Sequence, residues 1–369
     1  MPYNRHRPVL YGLFAAALFG TSAPITKVLT ASVDPVALAA LVYLGSGVGL
    51  ILFHFISSFR RNVRMARAPM VSRSDIPWLA ASTIFGAVLA TVCLMYSLPG
   101  TPAATASLLL SFEGATVAFV AYIFFHEYIG RRVAGALGLV TIACMLLTYS
   151  SDAPFGISLS AVGILLATVF WGFDVNFSRQ ISARNPVVVV AIKGLAGGII
   201  LTALTLILGQ SFPSFNLALA AMFVGLLTYG GLMTIMYLLS IRSLGSSRAG
   251  LLFATNPIFG VVVSWLIFRD IPGILFVVSL FFIIVSIYVL VTEKHVQRHR
   301  HPPEIHNHPH RHDDLHHDHI HSPEDPPVPP HGVHSHMHEH TEIIHTHHYV
   351  PDIHHRDPNN VIKEESTRK

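Results

Sequence analysis

Long stretches without charge constrain this chain more than any other feature of its sequence. From Gly194 to Ile241 there is no Asp, Glu, Lys or Arg, and apolar runs follow one another from Pro8 to Thr292. A bilayer core is about 30 Å thick, and a helix needs roughly 20 apolar residues to cross it. Because only helices and closed barrels satisfy their backbone hydrogen bonds in lipid, the sequence predicts an all-α polytopic membrane protein.

Composition supports this interpretation and divides the chain. Of the 369 residues 52% are hydrophobic and 12% are charged, whereas soluble domains carry about 25% charged residues. The net charge of +4 comes from arginines in short clusters between apolar runs, which does not indicate nucleic-acid binding. Beyond Glu293 the chain becomes polar and rich in His and Pro. We therefore expect a membrane region followed by a disordered tail at 293–369.

The apolar runs predict ten transmembrane helices. We divide the uncharged stretch at Gly209–Pro213, which contains Gly, Ser and Pro and is typical of a turn. We assign helices one to five to a first repeat at 8–150 and helices six to ten to a second at 156–292. The predicted spans are 9–28, 36–56, 78–98, 103–125, 133–148, 159–177, 186–208, 217–239, 249–268 and 273–291.

Basic residues in the short loops predict the orientation. Lys and Arg concentrate on the cytoplasmic side of membrane proteins. If the N-terminus is cytoplasmic, that side receives Arg5, Arg7 and the arginine-rich second loop, while the other side keeps only Lys27 and Arg269. We therefore expect a bacterial-type inner (plasma) membrane protein with both termini, and hence the tail, in the cytoplasm.

The two halves of the membrane region resemble each other. Ala106-Ser107-Leu108-Leu109 in the fourth helix corresponds to Ala249-Gly250-Leu251-Leu252 in the ninth. Phe19-Gly20 in the first helix likewise corresponds to Trp171-Gly172 in the sixth. A repeat of five helices crosses the bilayer an odd number of times, so the second copy is inverted. Inverted repeats are typical of secondary transporters, whose substrate site lies near the midplane between the halves.

These features, at 8–292, resemble the EamA-type transporters of the drug/metabolite transporter superfamily. The resemblance rests on the ten-helix length, on the aromatic-Gly pairs followed by Lys27 and Arg179, and on an acidic residue at the end of a helix in each repeat. These acids are Glu127 and Asp270. The resemblance implies a cavity between two helical bundles, alternating access, and export or exchange of small organic solutes.

Ionisable and amide side chains inside the membrane are the candidate substrate-path residues. Such groups are costly in lipid, so they normally face a cavity or a partner. Glu113 and Asn256 occupy matching positions in the two repeats, and Asp174 and Lys193 lie within the sixth and seventh helices. A carboxylate there can bind a cation, an amine or a coupling proton. The alternative is structural: Glu113 or Asp174 pairs with Lys193 and fixes helix packing.

Two aromatic residues, Trp171 and Tyr96, complete the candidate substrate path, although aromatic residues in membrane helices more often pack or mark interfaces. His126-Glu127 begins a zinc-protease motif, but position 130 is Gly130 where the second histidine would be required. With no Ser/His/Asp arrangement and no phosphate-binding glycine loop, we predict that the protein is not an enzyme and requires no cofactor.

Histidines in the tail predict a metal-binding segment. Imidazole binds Zn, Ni, Co and Cu, and His-x-His spacing lets neighbouring rings reach one ion. Such sites release their metal as the histidines become protonated near pH ~6.5. The candidate ligands are His306, His308, His310, His312, His316, His317, His319, His334, His336, His338, His340, His345, His347 and His348.

Three functions remain open at this point. The first is a secondary transporter that exports a small metabolite of the amino-acid or amine class, with a metal-binding cytoplasmic tail. The second is an exporter of divalent Zn, Ni or Co. The third is a metal-responsive membrane sensor without transport. The expected partners are a small-molecule substrate, membrane lipid and transition-metal ions, and the sequence does not determine the oligomeric state.

Overall fold

The computed structural model describes the membrane region and short parts of the tail. The described residues are 6–59, 71–125, 130–149, 151, 157–181, 184–229, 231–244, 252–269, 273–291, 296–301, 304–310, 334–340 and 343–348.

The membrane region is entirely helical in the described residues. Seven segments are long and apolar enough to cross a membrane, and three shorter apolar helices lie at the fifth, ninth and tenth predicted spans. The fold class predicted from the sequence is therefore confirmed. The helices are α1 His6–Gly20, α2 Ser22–Thr30, α3 Pro35–Phe59, α4 Ile76–Ser82, α5 Thr91–Ser97, α6 Ala103–Leu110, α7 Glu113–Phe125, α8 Arg131–Thr148, α9 Leu159–Gln180, α10 Pro186–Ile207, α11 Phe215–Thr228, α12 Leu232–Leu244, α13 Asn256–Phe268 and α14 Ile274–Val291.

Several spans are not continuous α-helices. The first span is interrupted at Thr21, the fourth between α6 and α7, and the ninth immediately before α13. Hydroxyl groups satisfy backbone carbonyls there, since Thr21, Ser111 and Thr255 each donate to the carbonyl three residues earlier. Irregular backbone is tolerated at membrane depth only where such partners are found.

The third span departs from α-geometry in a different way. A π-helical segment, Thr83–Ala90, joins α4 to α5 within one continuous run. A π-turn widens the helix and leaves backbone carbonyls available to side chains. Gly86 lies in this segment, and its carbonyl oxygen accepts hydrogen bonds from the hydroxyls of Tyr43 and Thr91 at 3.2 Å each.

Contacts between helices follow the two repeats. The second span packs on the seventh (α3 on α10), and the fifth packs on the tenth (α8 on α14). The first span packs against α12 and α13 of the second repeat, and its counterpart α9 packs against the third span and α7 of the first repeat. Each contact therefore recurs with the two repeats exchanged, as expected for an inverted 5+5 architecture.

Glycines set the closest of these helix contacts. A Cβ placed on Gly45 would overlap the Met222 carbonyl group of α11, and one on Gly194 would overlap the backbone of Gly47. The GxxxG patterns Gly45–Gly49 and Gly194–Gly198 thus pack helices inside the bundle, as small residues commonly do in membranes.

In the tail the structure describes four short strands where the sequence predicts disorder. β1 Val296–His301 pairs antiparallel with β4 Ile343–His348, and β2 Glu304–His310 pairs antiparallel with β3 His334–His340. Extended backbone suits the alternating His-x-His pattern, whose period of two matches a strand. The tail forms a unit separate from Met1–Glu293.

Candidate functional site

A buried ion pair lies between the sixth and seventh spans. Lys193 of α10 donates from Nζ to both carboxylate oxygens of Asp174 on α9, and the side chains are 15% and 10% exposed. Two charges in the membrane interior are stable only when each has a partner. The structure therefore shows the ion pair between Asp174 and Lys193 that the structural alternative predicted.

Serine hydroxyls complete the surroundings of this carboxylate. Ser82 Oγ of α4 donates to Asp174 Oδ1 at 2.5 Å, and Ser178 Oγ lies 3.3 Å from the same atom. A Cβ on Gly86 would collide with the carboxylate, so the glycine in the π-helical segment gives Asp174 its space. The pair thus joins the third, sixth and seventh spans, which belong to both repeats.

Glu113 lies at the interruption of the fourth span. It is half-buried at the first position of α7, where the helix dipole favours a negative charge. No hydrogen bond or ion pair joins its carboxylate to any described residue. It lies within electrostatic reach of both Asp174 and Lys193. The structure therefore pairs Asp174 with Lys193 and places Glu113 within electrostatic range of both. Glu113 has no direct partner among the described residues.

Asn256 begins α13 and has a local role. Its side-chain nitrogen donates to the Phe253 carbonyl at 3.0 Å, which stabilises the interruption of the ninth span. Its own carbonyl group lies against Gly20 of α1, where a Cβ would be only 2.0 Å from the oxygen. Asn256 occupies the repeat position that matches Glu113, and no described contact joins the two side chains.

Trp171 belongs to an aromatic cluster at the contact between the repeats. Its ring lies edge-on to Phe19 at 6.5 Å, so the aromatic residues of the two aromatic-Gly pairs meet each other. Phe253 lies 5.3 Å from Phe19 and 4.6 Å from Tyr237, and Tyr237 interacts electrostatically with Glu113. The sequence analysis missed Phe253 and Tyr237, because no local pattern distinguishes them from lipid-facing aromatics.

Tyr96 lies apart from these groups. It is 52% exposed in the last turn of α5, and its hydroxyl accepts a hydrogen bond from Gln210 at 2.9 Å. Gln210 also accepts from the backbone nitrogen of Val36 at 2.9 Å. Tyr96 thus belongs to a contact between loops near the ends of the spans, and the structure does not place it with the charged residues.

Of the motif residues at the helix ends, the structure describes Lys27 but not the two acids. Lys27 donates to the Thr101 carbonyl and lies 5.9 Å from the Phe268 ring centre, so it connects the first span to the ends of two others. Glu127 and Asp270 lie outside the described residues.

Metal ligands are not grouped in the described part of the chain. No three His, Cys, Asp or Glu side chains there could hold an ion together. Of the predicted tail ligands, His312, His316, His317 and His319 lie outside the described residues. The others lie in strands, where the backbone register places His306 opposite His338 and His308 opposite His336.

Comparisons with known proteins identify the family, a similar transporter and a similar fold. The model of the EamA-like transporter family matches residues 6–149 and 158–292. A protein of Methanothermobacter thermautotrophicus named an uncharacterized transporter is 25% identical over 291 residues, which cover 75% of this chain and 83% of that protein. A crystal structure of another protein has the same fold, with a TM-score of 0.54 and 20% identity over 76% of this chain and 95% of that one.

Proposed function

Since the chain belongs to the EamA-like transporter family, it is a multi-pass membrane protein of a transporter family rather than an enzyme, and we propose that it exports small cationic metabolites. The class comprises amines and amino acids that carry a net positive charge. The proposed cycle alternates access to a site between the two repeats, with both termini in the cytoplasm of a bacterial-type inner membrane.

The observation that carries this proposal is one unmatched negative charge. Away from the span ends, the described acidic and basic side chains in the membrane region are Glu113, Asp174 and Lys193. Lys193 neutralises Asp174, and Glu113 remains. A carboxylate in a low-dielectric interior is stable only when it gains a cation or a proton. The charge balance therefore favours a positively charged substrate over an anion.

Aromatic rings beside Glu113 support the same substrate class. The cluster of Phe19, Trp171, Tyr237 and Phe253 lies within electrostatic range of this carboxylate at Tyr237. Ammonium groups bind favourably over aromatic faces, by about 0.5–2 kcal/mol for each contact. A carboxylate next to aromatic rings suits an organic cation better than a hydrated metal ion, which requires several oxygen or nitrogen ligands.

Flux into and out of proteoliposomes tests the proposal. We expect the full chain to exchange radiolabelled putrescine and free L-lysine, and to exclude L-glutamate. Glu113→Gln should reduce exchange at least 10-fold, because the neutral amide no longer balances the ammonium group. Glu127→Gln, an acid at the end of the same span, serves as the matched control. Equal exchange by Glu113→Gln and the native protein would contradict the proposal.

The tail carries a second proposal, that it binds Zn, Ni, Co or Cu ions. The spacing of its histidines supports this, and so does the backbone register, since residues opposite each other in an antiparallel pair lie about 5 Å apart at Cα. A transition-metal exporter that gathers ions on the tail remains the alternative function, and a metal-responsive sensor without transport is the third.

Cellular metal content separates these alternatives. Elemental mass spectrometry after metal challenge would compare cells making the full chain, a chain ending at Thr292, and Glu113→Gln. If the full chain lowers one metal and both changes abolish this effect, the metal exporter becomes the better proposal. If metal only rises when the tail is present, regardless of Glu113, the tail is a buffer. A protein that moves neither metals nor amines in vesicles would be a sensor.

A further inference from the structure

Lys193 has the position of a cation that a substrate can replace. Its ammonium group lies on the Asp174 carboxylate, and the hydroxyls of Ser82 and Ser178 surround the same carboxylate. Carboxylate and hydroxyl oxygens that converge on one point are what a free ammonium group would also bind. Lys193 is tethered there by its own side chain, so its positive charge can leave the site only as a proton.

A substrate cation and the lysine ammonium group oppose each other in this site. Glu113 is close enough to interact electrostatically with both Asp174 and Lys193. An ammonium group bound at Glu113 therefore also interacts with Lys193. The two positive charges repel each other more strongly there than in water, because the dielectric constant of the membrane interior is lower. Loss of the Lys193 proton removes that repulsion and frees Asp174 for the incoming cation.

We infer that Lys193 carries the coupling proton, which is exchanged for one positive charge of substrate at Asp174 and Glu113. This inference rests on the proposed function and identifies the driving ion as H⁺. On the cytoplasmic side, Lys193 gives its proton to water and the substrate ammonium binds. On the opposite side the substrate leaves, and Lys193 takes a proton from water and returns to Asp174. One proton enters for each monovalent cation exported, so the exchange is electrically neutral.

Other groups around Lys193 are consistent with this assignment. Helix α10 packs against α3, α4, the π-helical segment and α12, and its Lys193 side chain reaches Asp174 on α9. The titratable groups facing the pair are Tyr43 from α3 and Glu113 from α7, while 76–90 in the third span contains no ionisable side chain. On α12, Tyr237 interacts with Glu113. Lys193 is therefore the basic group placed to exchange a proton in this part of the described chain.

The decisive substitution is Lys193→Arg. Arginine keeps the positive charge and the pairing with Asp174, but a guanidinium group does not release its proton in proteins. If Lys193 only fixes helix packing, arginine satisfies that role. If Lys193 carries the coupling proton, the site stays closed to substrate. The two roles therefore give opposite results for one conservative change.

The experiment uses proteoliposomes containing the full chain, loaded with radiolabelled free L-lysine and a pH-sensitive dye. When the outside is acidified, we expect the native protein to release L-lysine and acidify the interior in equal amounts. Lys193→Arg should reduce both at least 10-fold. Lys27→Arg, a lysine at the end of a span, is the matched control and should keep both. Proton-driven release within twofold of native in Lys193→Arg would overturn the inference.

A neutral double variant guards against a folding defect. Asp174→Asn/Lys193→Met removes both charges and leaves no unpaired one, so it should fold as stably as the native protein in detergent while losing proton-driven release. Continued proton movement with L-lysine in this folded variant would overturn the assignment. Absence of L-lysine and putrescine flux in the native protein would instead mean that the proposed function is wrong.

Discussion

At the scale of single residues, the charged side chains in the membrane differ in whether they have a partner of opposite charge. Asp174 and Lys193 neutralise each other, whereas Glu113 has no direct partner among the described residues. A pair of buried charges stabilises a fold only weakly, yet removing one member leaves the other exposed to a low dielectric at a large cost. The two carboxylates in the membrane therefore have different expected sensitivities to substitution.

Asp174→Asn is expected to lower the unfolding free energy by about 3 kcal/mol, because it leaves the Lys193 ammonium group buried without a carboxylate. The double variant Asp174→Asn/Lys193→Met should recover most of this loss. Unfolding of the purified protein in detergent, followed by circular dichroism, measures both. Asp75→Asn is the control, since its partner Arg184 is 27% exposed and the loss should be much smaller. Equal losses at both aspartates would contradict the prediction.

At the scale of elements, interrupted helices and glycines act together. The aromatic-Gly pair of each repeat packs against an interrupted helix of the other repeat: Gly20 lies on Asn256 of α13, and Gly172 lies on Thr116 of α7. Thr116 Oγ1 also donates to the Thr168 carbonyl of α9 at 2.7 Å. The aromatic-Gly motif thus has a packing reason, because only a residue without Cβ allows this approach.

Gly20→Ala is expected to destabilise the protein by about 1–3 kcal/mol, since its Cβ would lie 2.0 Å from the Asn256 carbonyl oxygen and force α1 away from α13. Gly114→Ala is the matched control, because nothing lies within 4 Å of a Cβ there. Alanine is also a better helix former than glycine, so the control should be neutral or slightly stabilising. Thermal unfolding of both variants in detergent measures the difference. A Gly20→Ala protein as stable as the control would show that the helices move apart at no cost.

At the scale of the whole molecule, contacts between the repeats occur at both membrane faces. On one face, Arg184 Nε lies 2.8 Å from Asp75 Oδ2. On the other, the backbone nitrogen of Ser211 donates to Asp34 Oδ2 at 2.9 Å. The loops that carry these residues correspond when the repeats are exchanged. A transporter that opens alternately to each side has to break one contact at a time.

Arg184→Ala is expected to favour opening at the face that carries Asp75. A cysteine placed at Ser178, in a chain without Cys93 and Cys144, should then react several-fold faster with a membrane-impermeant maleimide added from that face. Asp34→Asn weakens the contact on the opposite face and should slow the same reaction. The ratio of the two labelling rates is the measurement. A change in the same direction for both variants would mean that the two faces do not open alternately.

Removal of the tail is expected to separate metal binding from transport. A chain ending at Thr292 should keep amine exchange, since the membrane region forms a unit of its own, and should bind far less Zn²⁺. For the full chain, Zn²⁺ binding should be strong at pH 7.5 and largely lost at pH 5.5, because protonation of histidine near pH ~6.5 removes the ligand. Isothermal titration calorimetry measures both. Equal Zn²⁺ binding with and without the tail would contradict the prediction.

The sequence by itself determined the number of spans, the helical class and the internal repeat. Each depends on composition along the chain: about 20 apolar residues cross a bilayer wherever they fold, and the matching of Phe19-Gly20 with Trp171-Gly172 is visible in the letters alone. Glu113, Asp174 and Lys193 could be selected for the same reason, since charge in an apolar run is visible without coordinates.

Only the tertiary structure decided which of these residues meet. Lys193 is 19 residues from Asp174 and Ser82 is 92, and hydropathy does not record helix rotation or crossing angle. The same limit explains Tyr96, whose hydroxyl bonds Gln210 in a loop, and Asn256, whose side chain bonds the Phe253 carbonyl just before α13. The interruptions before α7 and α13 escape sequence analysis too, because packing against neighbouring helices determines where a membrane helix is broken.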